Sequence, residues 1–273
     1  MAYAARVLLD SLSEAGVRLT TMEVTFPRFV LSEANTHRMF SRNSASSRAV
    51  PTAKLIERAE RDPVLPLEWG RNKAGMQANE VLDDAEAEQG RLVWLAARDA
   101  AVEQAKRLLD LKVHKQVVNR ILEPYLWHTI IISSTEWSNF FELRCAPAAQ
   151  PEIRQAALQM RSALENSKPE PMRNGLWHLP LVQDDERESV DLEDLKKVSV
   201  ARCARVSYLT HDGTRDIQKD LDLHDRLKIE RHLSPFEHVA TPAPDANFHA
   251  NFRGWIQMRA SIENGAHSLA GVN

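Results

Sequence analysis

In the stretch RLTTMEVTFPRFVLSEANTHR, Arg18–Arg38, the spacing of apolar residues changes at a single residue, which predicts two different elements. Apolar and polar side chains partly alternate from Leu19 to Phe26, which predicts a β-strand. Pro27 comes next and is expected to end that strand. Beyond it the apolar residues recur at near-helical intervals, which predicts a short helix that leads into a loop.

The loop falls in NTHRMFSRNSASSRAVP, Asn35–Pro51, where polar donors are concentrated. Three arginines (Arg38, Arg42 and Arg48) accompany His37 and four serines. A guanidinium group keeps its charge and presents a rigid fork of donors to phosphate or carboxylate. A pocket for a small anionic ligand is therefore one interpretation. A solvated surface loop is the other, and composition alone favours it.

Patterns on either side predict long helices and few strands. The segment 53–80 is irregular and is expected to be an exposed excursion. YLWHTIIISSTEW, rich in isoleucine, threonine and aromatic residues, predicts a buried strand. We therefore predict an α+β fold, with long helices packed on a small, mainly antiparallel sheet. The segments with helical patterns are residues 80–111, 114–124, 150–167 and 215–230.

An acidic segment, QDDERESVDLEDLKK at residues 183–197, interrupts these patterns. It shows no apolar face that could join a core. We expect an exposed connector there, and a boundary within the chain.

Composition limits the class of protein. The chain has 273 residues, 43% of them hydrophobic and 27% charged, which is ample material for a core. Its net charge of −3 provides no basic field for nucleic acid, and no apolar run reaches membrane-spanning length. Cys145 and Cys203 lie far apart without metal-ligand spacing. We expect a soluble cytoplasmic protein without a metal, a nucleic-acid partner or a membrane partner.

Other charged residues outside the loop are candidates for a site. Arg120 and Arg144 each follow an apolar segment, so each either faces a ligand or forms an ordinary salt bridge. Glu237 and His238 stand together after a Ser-Pro-Phe turn. Such a pair either transfers protons or forms a structural hydrogen bond. The scattered histidines interpreted as core or cap residues are His114, His128, His178 and His232.

Taken together, these segments resemble the flavin-dependent thymidylate synthases, the thymidylate-synthase-complementing-protein type of fold. The family signature is Arg-His-Arg, seven residues, Ser, and often a further Arg. THRMFSRNSASSR matches it with Thr36, His37, Arg38, Ser46 and Arg48. Four further segments also resemble family segments: NRILEP, TEWSNFFELRCAPAAQPEIR, CARVSY and SPFEHVA.

The resemblance implies three groups of site residues. The flavin-binding positions are His37, Arg38, Asn43, Asn139, Ser207, Ser234 and Glu237. The substrate-binding positions are Glu33, Ser46, Arg48, Arg120 and Arg144. The catalytic positions are Ser46, Arg48 and Arg144.

The segment order departs from the family. CARVSY and SPFEHVA follow the arginine-histidine motif here, whereas in the family they precede it. We therefore predict one domain over residues 1–273, built from permuted halves 1–182 and 198–273 and joined by the connector 183–197. Near the C-terminus, NFRGWIQMR resembles a degenerate second copy of the segment before the motif. Its Arg259 is a candidate replacement for the motif arginine that is missing at Thr36.

Single residues depart from the family too, at flavin and base contacts. Glu33 stands where the family has glutamine, and a carboxylate accepts from the exocyclic amine of a cytosine-type base. The other departures are Thr36 for arginine, Ser44 for glutamate, Ala49 for an aromatic residue, and Ser133 and Thr135 for asparagine and arginine.

The resemblance implies methylation of the pyrimidine deoxynucleotide dUMP at C5 to give dTMP. Methylenetetrahydrofolate provides the carbon, reduced FAD provides hydride, and NADPH reduces the flavin. A homotetramer with active sites between subunits is also implied. Two alternatives stay open: C5-methylation or hydroxymethylation of another pyrimidine nucleotide, and a nucleotide-binding homologue without catalysis.

Overall fold

The computed structural model describes residues 2–44, 46–75, 77–78, 80–208 and 215–263, with the backbone alone for residues 207 and 208. A five-stranded sheet lies at its centre, in the order β3-β4-β2-β1-β5. All neighbouring strands run antiparallel except β1 and β5, which run parallel. The strands are β1 (Ala4–Ser13), β2 (Arg18–Pro27), β3 (Ser41–Ser44), β4 (Trp127–Ser134) and β5 (Glu170–Met172).

Helices pack around this sheet, and two of the longer ones begin with recognised helix-start residues. Asp83 and Glu86 form a capping box at the start of α3, and Pro151 begins α6. Within the described residues no helix is both long and apolar enough to cross a bilayer. The α-helices are α1 (Leu31–Asn35), α2 (Thr52–Arg61), α3 (Asp84–Asp110), α4 (Lys115–Val118), α5 (Ser138–Arg144), α6 (Pro151–Asn166), α7 (Asp184–Ser189), α8 (Leu192–Ala204) and α9 (Ile217–Ile229).

Shorter elements complete the chain. Residues 258–263 are helical. Two small two-stranded sheets pair β6 (Ala240–Pro242) with β9 (Trp255–Gln257) and β7 (Phe248–His249) with β8 (Phe252–Arg253). The 3₁₀ turns are Arg28–Val30, Asn119–Tyr125, Arg205–Tyr208 and Ser234–Glu237. Helices packed on a mainly antiparallel sheet confirm the predicted α+β class.

One face of the sheet is apolar and packs against α5 and α6. Met22 and Val24 of β2 and Ile130 of β4 are buried together with Ile153 and Met160 of α6. Because side chains alternate along a strand, every second residue of β2 points to this face. The alternation read from the sequence is therefore the pattern that builds the main core.

The opposite face carries a buried chain of polar side chains. His178 lies 2.8 Å from Ser11 Oγ through Nδ1 and 2.8 Å from Thr21 Oγ1 through Nε2. Thr21 continues to Ser133 over 2.6 Å, and Ser133 continues to Nδ1 of His238 over 2.7 Å. Burial lowers the pKa of both histidines to about 3, so both are neutral at pH 7. Mutual hydrogen bonding makes this polar layer compatible with burial, and it joins the sheet to the C-terminal part of the chain.

Most residues of the acidic segment 183–197 are exposed as expected, but the expectation that it has no face for a core is wrong. The segment forms α7 and the first part of α8, and Leu195 is only 4% exposed in a cluster with Val182. Glu186 is buried because it accepts two hydrogen bonds of 2.6 Å from Arg202. Paired charges can enter a core, and composition alone does not reveal such pairing. The permuted arrangement of halves stays a prediction.

Three further expectations also differ from the structure. The excursion 53–80 begins within α2, where Leu55 and Ala59 are buried. The predicted second helix at 114–124 is a short α4 followed by a 3₁₀ turn, in which Pro124 lacks an amide donor. Within the predicted loop, Ser41–Ser44 forms β3, because it pairs with β4 over four residues.

Candidate functional site

The motif strand β3 is fixed by its side chains as well as by its backbone. Asn43 donates from Nδ2 to the carbonyl oxygen of Cys203 at 2.7 Å, and its Oδ1 accepts from Ser234 at 3.2 Å. These contacts hold the motif against the end of α8 and the 3₁₀ turn of SPFEHVA. The structure thus brings together two predicted flavin-binding residues, Asn43 and Ser234.

A second anchor holds the start of β3, and sequence reasoning missed it. Gln257 donates to Ser41 Oγ at 3.0 Å, and Asn251 donates to the same oxygen at 3.0 Å and to the carbonyl oxygen of Met39 at 3.3 Å. Gln257 also donates to Asn251 Oδ1 at 3.0 Å. The one sequence feature that pointed toward this anchor is the position of Gln257 in the degenerate second copy. That feature did not identify Ser41 as the partner of Gln257.

A cavity of about 510 Å³ opens beside the motif. Its polar wall contains Asn43, Ser46, Arg48 and Ser234, four of the predicted site residues. Arg48 is exposed, and within the described residues neither Arg48 nor the Ser46 hydroxyl has a hydrogen-bond partner. Both remain available to a ligand. The apolar wall consists of Ala204, Leu223, Leu227 and Pro235.

This combination of walls fits a flat ring with a polar edge and an anionic substituent. Apolar side chains cover a ring face, while Ser46 and Arg48 offer a hydroxyl donor and a fixed cation. Both a flavin and a pyrimidine nucleotide have this character, so the residues present fit either group. Asn43 contributes by positioning, since its amide is already bonded to protein.

A second cluster forms around Arg144 at the end of α5. Its Nε donates to Nε2 of His37 at 2.9 Å. Its Nη2 donates to Thr36 Oγ1 at 3.0 Å and to the carbonyl oxygen of Glu33 at 3.3 Å. The Thr36 hydroxyl donates in turn to that same carbonyl oxygen at 2.7 Å. The structure therefore gathers the predicted residues Glu33, His37 and Arg144 at the C-terminal end of α1.

His37 is held neutral in this cluster. The side chain is buried, and burial first, then the charges of Arg144 and Arg42, lower its pKa to about 4. Since Nε2 accepts from Arg144, the proton of the neutral ring lies on Nδ1. At pH 7 this histidine accepts one hydrogen bond at Nε2 and can donate one from Nδ1, but it carries no positive charge that could bind a phosphate.

Arg259, the candidate replacement for the arginine missing at Thr36, is paired with two carboxylates. Arg259 donates to Glu237 at 2.5 Å and to Glu263 at 2.9 Å. The guanidinium that contacts Thr36 belongs to Arg144 instead. A threonine at this position thus leaves space for an arginine that comes from α5.

The possible proton-transfer pair of Glu237 and His238 is also absent. His238 is fully buried and bonded to Ser133, whereas Glu237 is bonded to Arg259. Neighbours in sequence point to different surroundings here because they lie at the end of a 3₁₀ turn. The structural interpretation of His238 is the one that the contacts support.

Several predicted residues lie away from both clusters. Arg38 and Asn139 are exposed, and their side chains make no hydrogen bond with the described residues. Arg120 donates to Glu123 at 2.9 Å and lines a separate cavity of about 500 Å³ beside α1. The side chain of Ser207 lies outside the described residues.

More than half of the chain matches a known protein family. A sequence model described as thymidylate synthase complementing protein matches residues 17–170, more than half of the chain. That range includes the motif strand and Arg144 but not Ser207, Ser234 or Glu237. No curated protein matches the chain.

The solved structures that are similar to the chain include two of a nucleotide methylase. One is the UMP/dUMP methylase PolB from Streptomyces cacaoi bound with 5-Br UMP, at 18% identity and a TM-score of 0.48, covering 60% of this chain and 88% of that chain. The other is the same protein bound with 5-Br dUMP, at 17% identity and a TM-score of 0.46, covering 60% of this chain and 90% of that chain.

Proposed function

Because this chain belongs to the thymidylate synthase complementing protein family, we propose that it is a flavin-dependent enzyme that methylates dUMP at C5 to give dTMP. The observation that carries the proposal is one cavity shared by Ser46 and Arg48 of the motif and Ser234 of SPFEHVA. Segments far apart in sequence meet there with donors free for a ligand. The alternative interpretation, a solvated surface loop, does not explain why these segments meet at one cavity.

In this proposal FAD, reduced by NADPH, supplies hydride, and methylenetetrahydrofolate is the one-carbon donor. The chain contributes binding, orientation and electrostatics. Asn43 keeps the motif strand against Ser234, so that the polar wall of the cavity has a fixed shape. The residues proposed to hold the flavin are His37, Arg38, Asn43, Asn139, Ser207, Ser234 and Glu237.

Arginines hold the anionic substrate in the proposed site. Arg48 and Arg144 bind the phosphate and a ring oxygen of dUMP, and each charge-assisted contact contributes about 1.5–3 kcal/mol. Ser46 lies near C5 of the base and orients the ring. Charge that develops on the ring as C5 becomes nucleophilic is stabilised by these fixed cations. Glu33 and Arg120 complete the proposed set of substrate contacts.

We also propose that the active enzyme is a cytoplasmic homotetramer. Arg38, Arg120 and Asn139 lie outside the cavity of their own chain. Exposed arginines and an exposed asparagine could instead complete the site of a neighbouring subunit. Shared sites of this kind would account for predicted ligand-binding residues that point to solvent in a single chain.

The side chain of Glu33 favours a second candidate, the same chemistry on another pyrimidine nucleotide. Its carboxylate is partly exposed and accepts one hydrogen bond, from Ser32 at 2.7 Å. Oxygen atoms of a carboxylate accept from the amine of a cytosine-type base but repel the O4 atom of uracil. Assays with dUMP and with dCMP therefore distinguish the two candidate substrates.

Reconstitution with FAD tests the proposal. Purified protein incubated with FAD and passed through a desalting column should retain the visible flavin absorbance, and dUMP should perturb it. The Ser46→Ala variant should retain flavin but show a weaker response to dUMP. Protein that stays colourless with FAD would rule out the proposed enzyme. If that protein still binds dUMP, the result favours a nucleotide-binding homologue without catalysis.

A further inference from the structure

Two arginines from different parts of the chain converge on the C-terminal end of α1. Arg144 donates from Nη2 to the carbonyl oxygen of Glu33 at 3.3 Å. Arg42 donates from Nη1 to the carbonyl oxygen of Ala34 at 3.1 Å. Because Glu33 and Ala34 are consecutive in a helix, both guanidinium groups are anchored at the same end of α1.

Two cations anchored at one helix end favour an anion there, and one carboxylate acts on the charge of Arg42 among the described residues. Glu237 is the carboxylate whose charge favours the cationic form of Arg42, but Arg259 already donates a hydrogen bond of 2.5 Å to it. Burial lowers the pKa of Arg42, so its half-buried charge is disfavoured as it stands. A further anion beside Arg42 would offset that cost.

Both guanidinium groups keep donors for such an anion. Within the described residues, Nε and Nη2 of Arg42 and Nη1 of Arg144 have no partner in the protein. These atoms are also absent from the buried polar atoms that lack partners. They are therefore reachable from solvent. Fork-shaped donors of this kind bind phosphate with two parallel hydrogen bonds.

We propose that Arg42 and Arg144 form a clamp that binds a phosphate group of the nucleotide or flavin ligand. The identity of that ligand rests on the proposed function. Arg42 is the new residue, since the resemblance assigns it no role. It supplies a second cation at the end of α1, where the family has an arginine and this chain has Thr36.

Binding measurements by calorimetry test the clamp with dUMP, deoxyuridine and FAD. Arg42→Gln should lower the affinity for the phosphate-bearing ligand by about tenfold or more, and Arg42→Lys should lower that affinity less. Arg61→Gln is the matched control, because Arg61 is 78% exposed and pairs only with Glu57 in the described chain. Its affinity should equal that of the wild type. Melting of each ligand-free variant shows whether the fold is intact.

The pattern of losses identifies the phosphate. A loss for dUMP, with deoxyuridine unchanged, assigns the clamp to the substrate, and a loss for FAD alone assigns it to the flavin. Unchanged affinity of Arg42→Gln for both ligands overturns the clamp. If the wild type binds neither ligand, the proposed function fails. The clamp is then tested separately by melting with inorganic pyrophosphate. It should raise the melting temperature of the wild type but not of Arg42→Gln, and an equal response overturns the clamp.

Discussion

Arg144 donates a hydrogen bond from Nε to Nε2 of His37 over 2.9 Å, and this contact fixes the protonation of the motif histidine. A histidine that accepts from a guanidinium group at Nε2 cannot also carry a proton there. Its lowered pKa of about 4 keeps the ring neutral at physiological pH. His37 therefore orients Arg144 rather than competing with it for an anion.

Removing the guanidinium group of Arg144 should raise the pKa of His37. In Arg144→Gln the neighbouring positive charge disappears, so the pKa of His37 should rise from about 4 toward, but not to, its ordinary value of 6.5, because burial persists. A pH titration of the imidazole signals by NMR measures this. Arg161→Gln, which alters an exposed arginine on α6, is the control and should leave the titration unchanged. An unchanged pKa in Arg144→Gln would contradict the contact.

The buried histidines should make stability depend on pH. The folded pKa values of His178 and His238 are about 3, whereas an unfolded histidine has a pKa of about 6.5. Between these values the unfolded state binds more protons, so stability is complete above pH 6.5 and falls as pH decreases. From pH 7.5 to 5.5 the free energy of unfolding should drop by about 1.4 kcal/mol per histidine.

Urea unfolding at the two pH values measures this loss. The double variant with His178→Gln and His238→Gln should show a smaller drop than the wild type, since glutamine does not titrate. Equal drops in the two proteins would mean that neither histidine is buried in its neutral form.

Asn43 should matter for stability as well as for ligand binding. Asn43→Ala removes the hydrogen bonds to Cys203 and Ser234 and leaves a carbonyl oxygen without its donor. We expect the free energy of unfolding to fall by about 1–3 kcal/mol, together with weaker retention of FAD. Asn166→Ala, which removes contacts on the exposed end of α6, is the control for urea unfolding. Equal stability of the two variants would argue against Asn43 as an anchor.

Arg48, the exposed cation in the cavity wall, should contribute to the affinity for substrate. Arg48→Ala should weaken dUMP binding by at least about tenfold, because one charge-assisted contact is worth about 1.5–3 kcal/mol. Lys54→Ala, an exposed lysine on α2, is the control for a general change in charge. Calorimetry compares the two variants, and a dUMP affinity unchanged in Arg48→Ala would remove this residue from the site.

Local periodicity predicted the main elements well. The strand expected at Leu19–Phe26 is β2, and the helix expected at residues 80–111 is α3. In both cases the buried face is visible in the spacing of apolar residues. By contrast, β3 is polar throughout and forms because it pairs with the isoleucine-rich β4. Pairing between distant segments cannot be read from the polar segment alone.

The candidate site was partly accessible from motifs. Ser46 and Arg48 were expected at the substrate and Ser234 at the flavin, and the three residues line one cavity. The anchor formed by Asn251 and Gln257 was not expected, since a lone amide side chain carries no periodic signal. Likewise, the burial of Glu186 depends on its pairing with Arg202, which only the folded chain reveals.

Release of tritium from dUMP labelled at C5 tests the central claim most directly. The assay contains the protein, FAD, NADPH and methylenetetrahydrofolate, with labelled dCMP in a parallel reaction. We expect release from dUMP that depends on all three additions and is abolished or strongly reduced in Arg48→Ala. No release from either nucleotide, by protein that has bound flavin, would contradict it.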